Sequence, residues 1–410
     1  MTNRRYPFQK SWRWQIVKCL DFFFDRFQKI NSSKPFPQTV EKILIIRLDH
    51  IGDLICTLPM FGLIKERFPR AKMTVLTGIE GKAILQNNPF VDELIIFHPN
   101  WFSRKSANVI ARRPLGRRSN LSFRLLRLCF EHCLAITTQW KSFFKILSQL
   151  RKNKFDLGYD FRGDLRNILL MVWGGVRYRI GYGIAGGLGL LNQAGEYDQQ
   201  LHQTELNLRL LKGPQPNWKD LKPEIFLTPD EINEAKQILK KAGILNQNTL
   251  IALHPEAGYS SKEWEEKNVR RLIQLLIQDK QNKIMILGLG RAQKIAESLN
   301  GSDQVINLVG KLSLRQMISI IGQANIFVGN DSGPSHIAQA LGIPVLVIAS
   351  GTNEYEKWGI WRQPSKILSH AVSCAPCHLN ECVVEGHPCM SNISGEDAFR
   401  AVKQLFSEVA

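Results

Sequence analysis

The run KILIIRL (42–48), followed by DHIGD (49–53), decides the fold class. It is apolar, rich in β-branched residues and short, as expected of a strand buried on both faces, and the loop after it leads into a helical period. That is a strand, loop, helix unit. Further strand-like runs follow at MTVLT (73–77), ELIIF (93–97) and FDLGYDF (155–161). A second set comprises LIALHP (250–255), KIMILGL (283–289), QVINLVG (304–310), NIFVGN (325–330) and PVLVIAS (344–350). Amphipathic periods in this second set predict helices over about 229–242, 265–279, 291–299, 313–322 and 334–341. Strands alternating with helices imply parallel sheets in an α/β chain.

A chain of 410 residues, 44% of them hydrophobic, exceeds the usual ceiling for one core, so two domains are expected. The Pro-rich, polar stretch GPQPNWKDLKP (213–223) reads as the linker between them. The chain then divides into a basic amphipathic extension (1–38), a Rossmann-like domain (39–212) interrupted by a long insertion (101–154), the linker, a second Rossmann-like domain (224–395) and a C-terminal helix (396–410). Leucine and phenylalanine spacing from Leu121 to Leu150 predicts helices inside the insertion.

The net charge of +18 is unevenly placed. Residues 1–35 hold eight Lys/Arg against two Asp, and residues 101–154 hold thirteen against one Glu, which leaves the rest of the chain formally neutral. Two basic patches of this kind seek anions. Neither carries a helix-turn-helix, zinc-finger or RNP-like pattern, so no nucleic-acid partner is expected. In residues 11–30, Trp12, Trp14, Ile16, Val17, Leu20, Phe23, Phe24 and Phe27 are interleaved with Arg13, Lys18, Arg26 and Lys29. That pattern fits a helix lying on an anionic membrane surface, and equally one covering the first domain. No apolar run approaches the ~20 residues that span a bilayer, and the N-terminus lacks a secretory signal pattern. The expectation is a cytoplasmic protein peripheral to the inner membrane.

The sharpest local signal is GNDSGPSHIAQALGIP (329–344). An apolar strand ends, Asp331 and Ser332 occupy the turn, and Pro334 falls where an early helical residue needs no N–H partner. The free N–H groups from Gly333 onward, with the positive end of the helix, suit a diphosphate; an ordinary capped helix is the alternative. A second loop, HPEAGYSSKEW (254–264), places Ser260, Ser261 and Lys262 at the same carboxyl edge of the sheet, where they can form a phosphate clamp. At the first strand, Gly52 permits close approach of a backbone or ligand, and Asp53 stands either as a helix cap or as a base facing the cleft.

These segments together resemble the bacterial heptosyltransferases, glycosyltransferase family 9, over most of residues 41–400. The resemblance is carried by RLDHIGDLICTLPMF (47–61), FDLGYDFRGDLRN (155–167), RYRIGY (177–182), His254 through Trp264, the run 308–344 and the terminal CAPC with CM. It implies the GT-B fold, with two Rossmann-like domains facing a central cleft, the first for the acceptor and the second for the donor. It also implies inverting transfer of a sugar, heptose above all, from a nucleotide diphosphate, ADP above all, to a lipopolysaccharide core or related anionic glycolipid, with no metal in the reaction. By similarity Asp53 is the catalytic base, Lys262 neutralises the diphosphate, and Asp331, Ser332, Gly333 and His336 hold the donor. Relatives place an acidic residue after the strand matching KIMILGL to bond the ribose. Here Gly288, Leu289, Gly290, Arg291, Ala292 and Gln293 follow instead, leaving Arg291 or Gln293 as replacements, or a nucleotide seated differently.

Cys374, Cys377, Cys382 and Cys389 have a spacing able to hold a structural Zn²⁺, with reduced packing thiols as the alternative. Two other functions compete with transfer: a non-catalytic sugar-nucleotide-binding scaffold of envelope assembly, and a sugar-nucleotide epimerase of the same architecture using His254, Glu256 and His336.

Overall fold

A computed structural model describes residues 11–97 and 141–409, apart from 212, 246, 300, 362 and 363 and the side chains of 11–16 and 18. The expected insertion helices before residue 141, Cys129, Cys133 and the indoles of Trp12 and Trp14 lie outside the described residues.

The first half builds a sheet from β1 (Lys42–Arg47), β2 (Lys72–Thr77), β3 (Glu93–Ile96), β4 (Leu157–Asp160), β5 (Tyr178–Gly181) and β6 (Gln193–Ala194). The second uses β7 (Thr249–His254), β8 (Asn282–Ile286), β9 (Val305–Asn307), β10 (Ile326–Asn330), β11 (Val345–Ala349) and β12 (Ser365–Ser369). Their orders are β3-β2-β1-β4-β5-β6 and β12-β11-β10-β7-β8-β9, and every strand pair is parallel. Two parallel α/β sheets are therefore present, as the alternating pattern predicts.

Strand burial explains the sequence runs. Ile43 and Ile45 face one side of the first sheet with the helices Ile51–Ile55 and Leu58–Arg67, while Leu44 and Ile46 face the other with helix 141–153 and Leu165–Trp173. In the second sheet Ala252, Met285 and Phe327 join the same apolar cluster as Ile43 and Ile45, so a continuous core runs through the layers between the halves. The opposite face, with Ile251, Ile284 and Ile326, is covered by the helices Glu266–Leu276 and Gly395–Val409. The C-terminal helix thus packs on the second sheet.

Topology fixes where a ligand belongs. In the first sheet the chain runs outward from β1 to β3 and then returns to lay β4 beside β1. In the second it runs from β7 to β9 and returns to lay β10 beside β7. The strand order reverses at β1/β4 and β7/β10, and open parallel sheets bind ligands outside the carboxyl ends of such a pair. The loops leaving those four strands are DHIGD, RGD, the loop through Ser260–Lys262, and DSGP.

Candidate active site

After β1, Arg47 is 2% exposed and anchors the loop. Its Nε and Nη2 donate to the Asp53 carbonyl at 3.2 and 2.7 Å, and its Nη1 lies 3.0 Å from Asp49 Oδ2. Arg162, from the RGD loop, reaches the same Asp49 oxygen at 3.2 Å. Burial pushes the Asp49 carboxyl above its ordinary range despite the pull of Arg47 and Arg162, with neighbouring Asp53 adding to the rise. Among the described residues its Oδ1 has no hydrogen-bond partner.

Asp53 stands one turn further on, half-buried, its Oδ2 accepting the His50 N–H at 3.3 Å. It serves as a cap on its own helix, and among the described residues this one long bond leaves the carboxylate able to accept more. The neighbouring loop is rigid for a separate reason. Asp160, at the end of β4, accepts from the N–H groups of Arg162, Gly163 and Asp164 and from Asn167 Nδ2. Burial lifts its carboxyl to about 7.

Across the cleft, Asn330 ends β10 and ties two loops together, donating to the Pro255 carbonyl at 2.7 Å and accepting the Trp264 N–H at 3.2 Å. Asp331 follows, with Oδ2 2.6 Å from Lys262 Nζ and both side chains 12% exposed. Ser332 is the N-cap residue of the helix Gly333–Ala340 but makes no side-chain cap bond. Its Oγ is buried without a partner among the described residues, and so is Nδ1 of His336, itself 6% exposed. Burial also lowers the His336 pKa, so the imidazole is neutral at neutral pH. A capped helix spends its cap hydroxyl. This one does not.

The two helix starts touch. A Cβ placed on Gly52 would lie 3.1 Å from His336 Cδ2, and one on Gly333 would lie 3.1 Å from the Ile51 Cβ. The close approach expected at Gly52 is therefore made by the His336 ring of the other half.

Ser260 and Ser261 are arranged differently from the expected clamp. Ser260 Oγ donates to the Asn380 carbonyl at 3.2 Å and Ser261 Oγ to the Leu379 carbonyl at 2.5 Å, while Ser261 N–H also bonds Asn380. Their hydroxyls fasten the Lys262 loop to the cysteine segment. That segment does not assemble a zinc site: among the described residues no three His, Cys, Asp or Glu side chains are placed to hold a metal. Cys374 and Cys382 are exposed, whereas Cys389 turns into the core beside Met390 and Ile393.

Glu256, unassigned to transfer by sequence, is 5% exposed and accepts the N–H groups of Leu289, Gly290 and Ala292 at 2.8–2.9 Å. Desolvation works against its charge, but those three donors hold its carboxyl below the ordinary range. Gly288, at φ +156°, passes so close to this carboxylate that a side chain has no room. His254 Nδ1 is paired with the Glu256 carbonyl at 3.1 Å. Two of the three acid/base candidates of the epimerase reading, His254 and Glu256, are thus engaged in holding loops. Arg291 pairs with Glu263 at 2.9 Å.

Residues 143–387 match the family described as Glycosyltransferase family 9 (heptosyltransferase). The chain is 26% identical over 170 residues to lipooligosaccharide heptosyltransferase 2 of Campylobacter jejuni, which covers 39% of this chain and 52%, about half, of that relative. It is 23% identical over 325 residues to lipopolysaccharide heptosyltransferase 2 of Escherichia coli K12, covering 75% of this chain and 82% of that one. The solved structure of E. coli ADP-heptose lps heptosyltransferase II superposes with a TM-score of 0.67 at 19% identity, covering 90% of this chain and all of that one. The shared fold is GT-B, two Rossmann-like halves across a cleft. With the family match spanning more than half its length and both sheets arranged around that cleft, the chain belongs to glycosyltransferase family 9 and is a glycosyltransferase.

Proposed function

We propose that the chain moves heptose, with inversion, from ADP-heptose to an anionic lipopolysaccharide-core acceptor at the cytoplasmic face of the inner membrane. In this reading the first half receives the acceptor and the second the donor. The observation that carries it is the pair of buried polar atoms, Ser332 Oγ and His336 Nδ1, without a partner among the described residues, at a helix start beside Lys262. Unsatisfied buried polar groups are costly unless a ligand meets them. A helix N-terminus next to a lysine supplies the N–H groups and positive charge that suit a diphosphate.

The chemistry follows from the residues. The acceptor oxygen attacks the anomeric carbon on the face opposite the diphosphate, the new C–O bond forms as the bond to the phosphate oxygen breaks, and the hydroxyl proton passes to the Asp53 carboxylate. Lys262 and the Gly333 helix start meet the charge that develops on the departing nucleotide diphosphate, so the step needs no metal ion. Asp49, held by Arg47 and Arg162, keeps the Asp53 loop in place. The names of the relatives support ADP-heptose as donor and lipopolysaccharide as the acceptor class.

The test is Asp53→Ala with donor binding followed separately. Transfer should collapse while ADP and ADP-heptose still raise the melting temperature. Unaltered turnover would remove Asp53 from the base role. A larger thermal shift from a GDP-, UDP- or dTDP-sugar would overturn the choice of carrier.

A further inference from the structure

The N-terminal arm is mounted inside out. It runs as the helix Ser11–Phe24, a 3₁₀ turn Asp25–Phe27 and the helix Gln28–Ser32. A helix that covers a domain ordinarily buries its apolar stripe and leaves polar residues to solvent. Here Asp21 and Asn31 are 2% and 8% exposed, while Phe22, Phe23, Phe27 and Ile30 are 64%, 57%, 51% and 60% exposed. The outward residues recur at helical spacing and form one stripe.

The inward polar contacts are complete. Asp21 Oδ1 accepts the Gly187 N–H at 2.7 Å. Asn31 donates to the Gly189 carbonyl at 2.8 Å, and its side-chain and backbone oxygens accept from Arg179 and Asn192 at 3.2 and 2.9 Å. Burying a carboxylate and an amide costs stability unless partners await them, and this body provides every one. The arm is therefore held in a defined orientation with its aromatic side outward.

The layer continues beyond the arm. Phe24 packs in one cluster with Phe143, Leu169 and Val172, which brings helix 141–153 and Leu165–Trp173 alongside. Phe144 and Trp173 on those helices are 60% and 44% exposed. Arg26 lies 5.1 Å from the Phe22 ring, Lys29 is exposed beside it, and residues 141–153 carry four basic residues and no acidic one.

We infer that this face, the stripe Phe22, Phe23, Phe27 and Ile30 with Phe144 and Trp173, is a docking surface for an anionic lipid bilayer. The inference deepens, and rests on, the membrane placement proposed above. Aromatic and aliphatic side chains enter the boundary between headgroups and acyl chains, and the flanking cations meet lipid phosphates. A second copy of the chain is disfavoured as occupant, because it would bring two basic rims together.

The test is flotation of the full chain with phosphatidylcholine vesicles, plain or containing one-quarter phosphatidylglycerol. Wild type should float with the anionic vesicles, less so with added salt, and hardly at all with the plain ones. Phe23→Ser/Phe27→Ser/Ile30→Ser should lower anionic-vesicle binding about tenfold or more, while Phe27→Trp keeps it. The ADP-induced rise in melting temperature, measured on each variant, shows that the fold and donor site survive and reports on the donor reading separately. Equal binding by the triple variant, or indifference of wild type to phosphatidylglycerol, would overturn the inference. So would a wild-type dimer that the triple variant makes monomeric, since the face would then be covered by a second copy.

Discussion

Gly52 and His336 meet across the cleft, the glycine on the helix Ile51–Ile55 of one half and the imidazole on the helix Gly333–Ala340 of the other, so close that a methyl group on the glycine would crowd the ring at 3.1 Å. Together with the approach of Gly333 to Ile51, this contact holds the Asp53 loop and the Asp331 loop against each other.

Gly52→Ala should reveal that register. The added methyl strains the contact by about 1–3 kcal/mol. Alanine recovers about 1 kcal/mol in helix propensity, so the melting temperature should move little. Turnover should fall about tenfold as His336 is displaced. Unchanged kcat would show that the contact does not set the cleft.

Lys262 and Asp331 should respond in opposite directions to ADP. Lys262→Ala removes the cation proposed to face the leaving group, which should lower kcat about 10²–10³-fold and weaken ADP binding. Asp331→Asn releases Lys262 from its 2.6 Å partner, so ADP should bind more tightly although turnover drops. Calorimetric titration with ADP decides this, and weaker binding by Asp331→Asn would refute the competition between carboxylate and diphosphate.

His202 should make stability depend on pH. Its Nδ1 accepts the Thr204 N–H at 3.1 Å, its Nε2 lies 3.0 Å from the Gly359 carbonyl, and its ring stacks on Trp218 at 4.5 Å. Both nitrogens are occupied in the neutral form, and burial brings the pKa down to about 4. The unfolded histidine binds a proton near 6.5, so this contribution is complete above that value and is lost as the pH falls toward 4. The sum is about 3 kcal/mol. Urea unfolding of wild type and His202→Gln at neutral pH and at about pH 5 should show a steeper loss in wild type; parallel losses would sink the assignment.

Arg315 joins the halves away from the cleft. It forms a two-pronged pair with Glu231 at 2.7 and 2.8 Å and donates to the Ala83 carbonyl at 3.0 Å, while Gln86 and Asn87 also reach Glu231. Arg315→Ala should cost about 3 kcal/mol, because the half-buried Glu231 loses its counter-charge. A urea midpoint equivalent to less than about 1 kcal/mol of change would mean that solvent already screens the pair.

Sequence made the strongly apolar strands legible because burial on both faces leaves a continuous hydrophobic run, as in Lys42–Arg47 and Val345–Ala349. It did not show β5, whose YRIG breaks the apolar run with Arg179 and Gly181, or the two-residue β6. Nor did it show β12, an edge strand only partly covered. For the site, local chemistry brought out Asp53, Lys262 and the DSGP turn. The anchoring roles of the carboxylates at 49, 160 and 256 escaped it: Arg162 reaches Asp49 and the turn 289–292 reaches Glu256 from distant loops, while Asp160 bonds its own loop but only the fold buries it. Ser260 and Ser261 illustrate the converse: a hydroxyl suited to phosphate is equally suited to a backbone carbonyl, and only the fold decides which it meets. The outward face of the arm was equally undecidable, because a helical stripe is the same whichever side it turns to the body.

Glu256 has a consequence for how the donor finds its place. The turn 288–292 points three backbone N–H groups at one spot, a concave nest of the kind that captures phosphate. Here the protein's own carboxylate already fills it. In the proposed reading, a polyanion arriving at this sheet edge is refused at that decoy and left to the turn beside Lys262, so the substrate's orientation is decided in part by a seat that is taken.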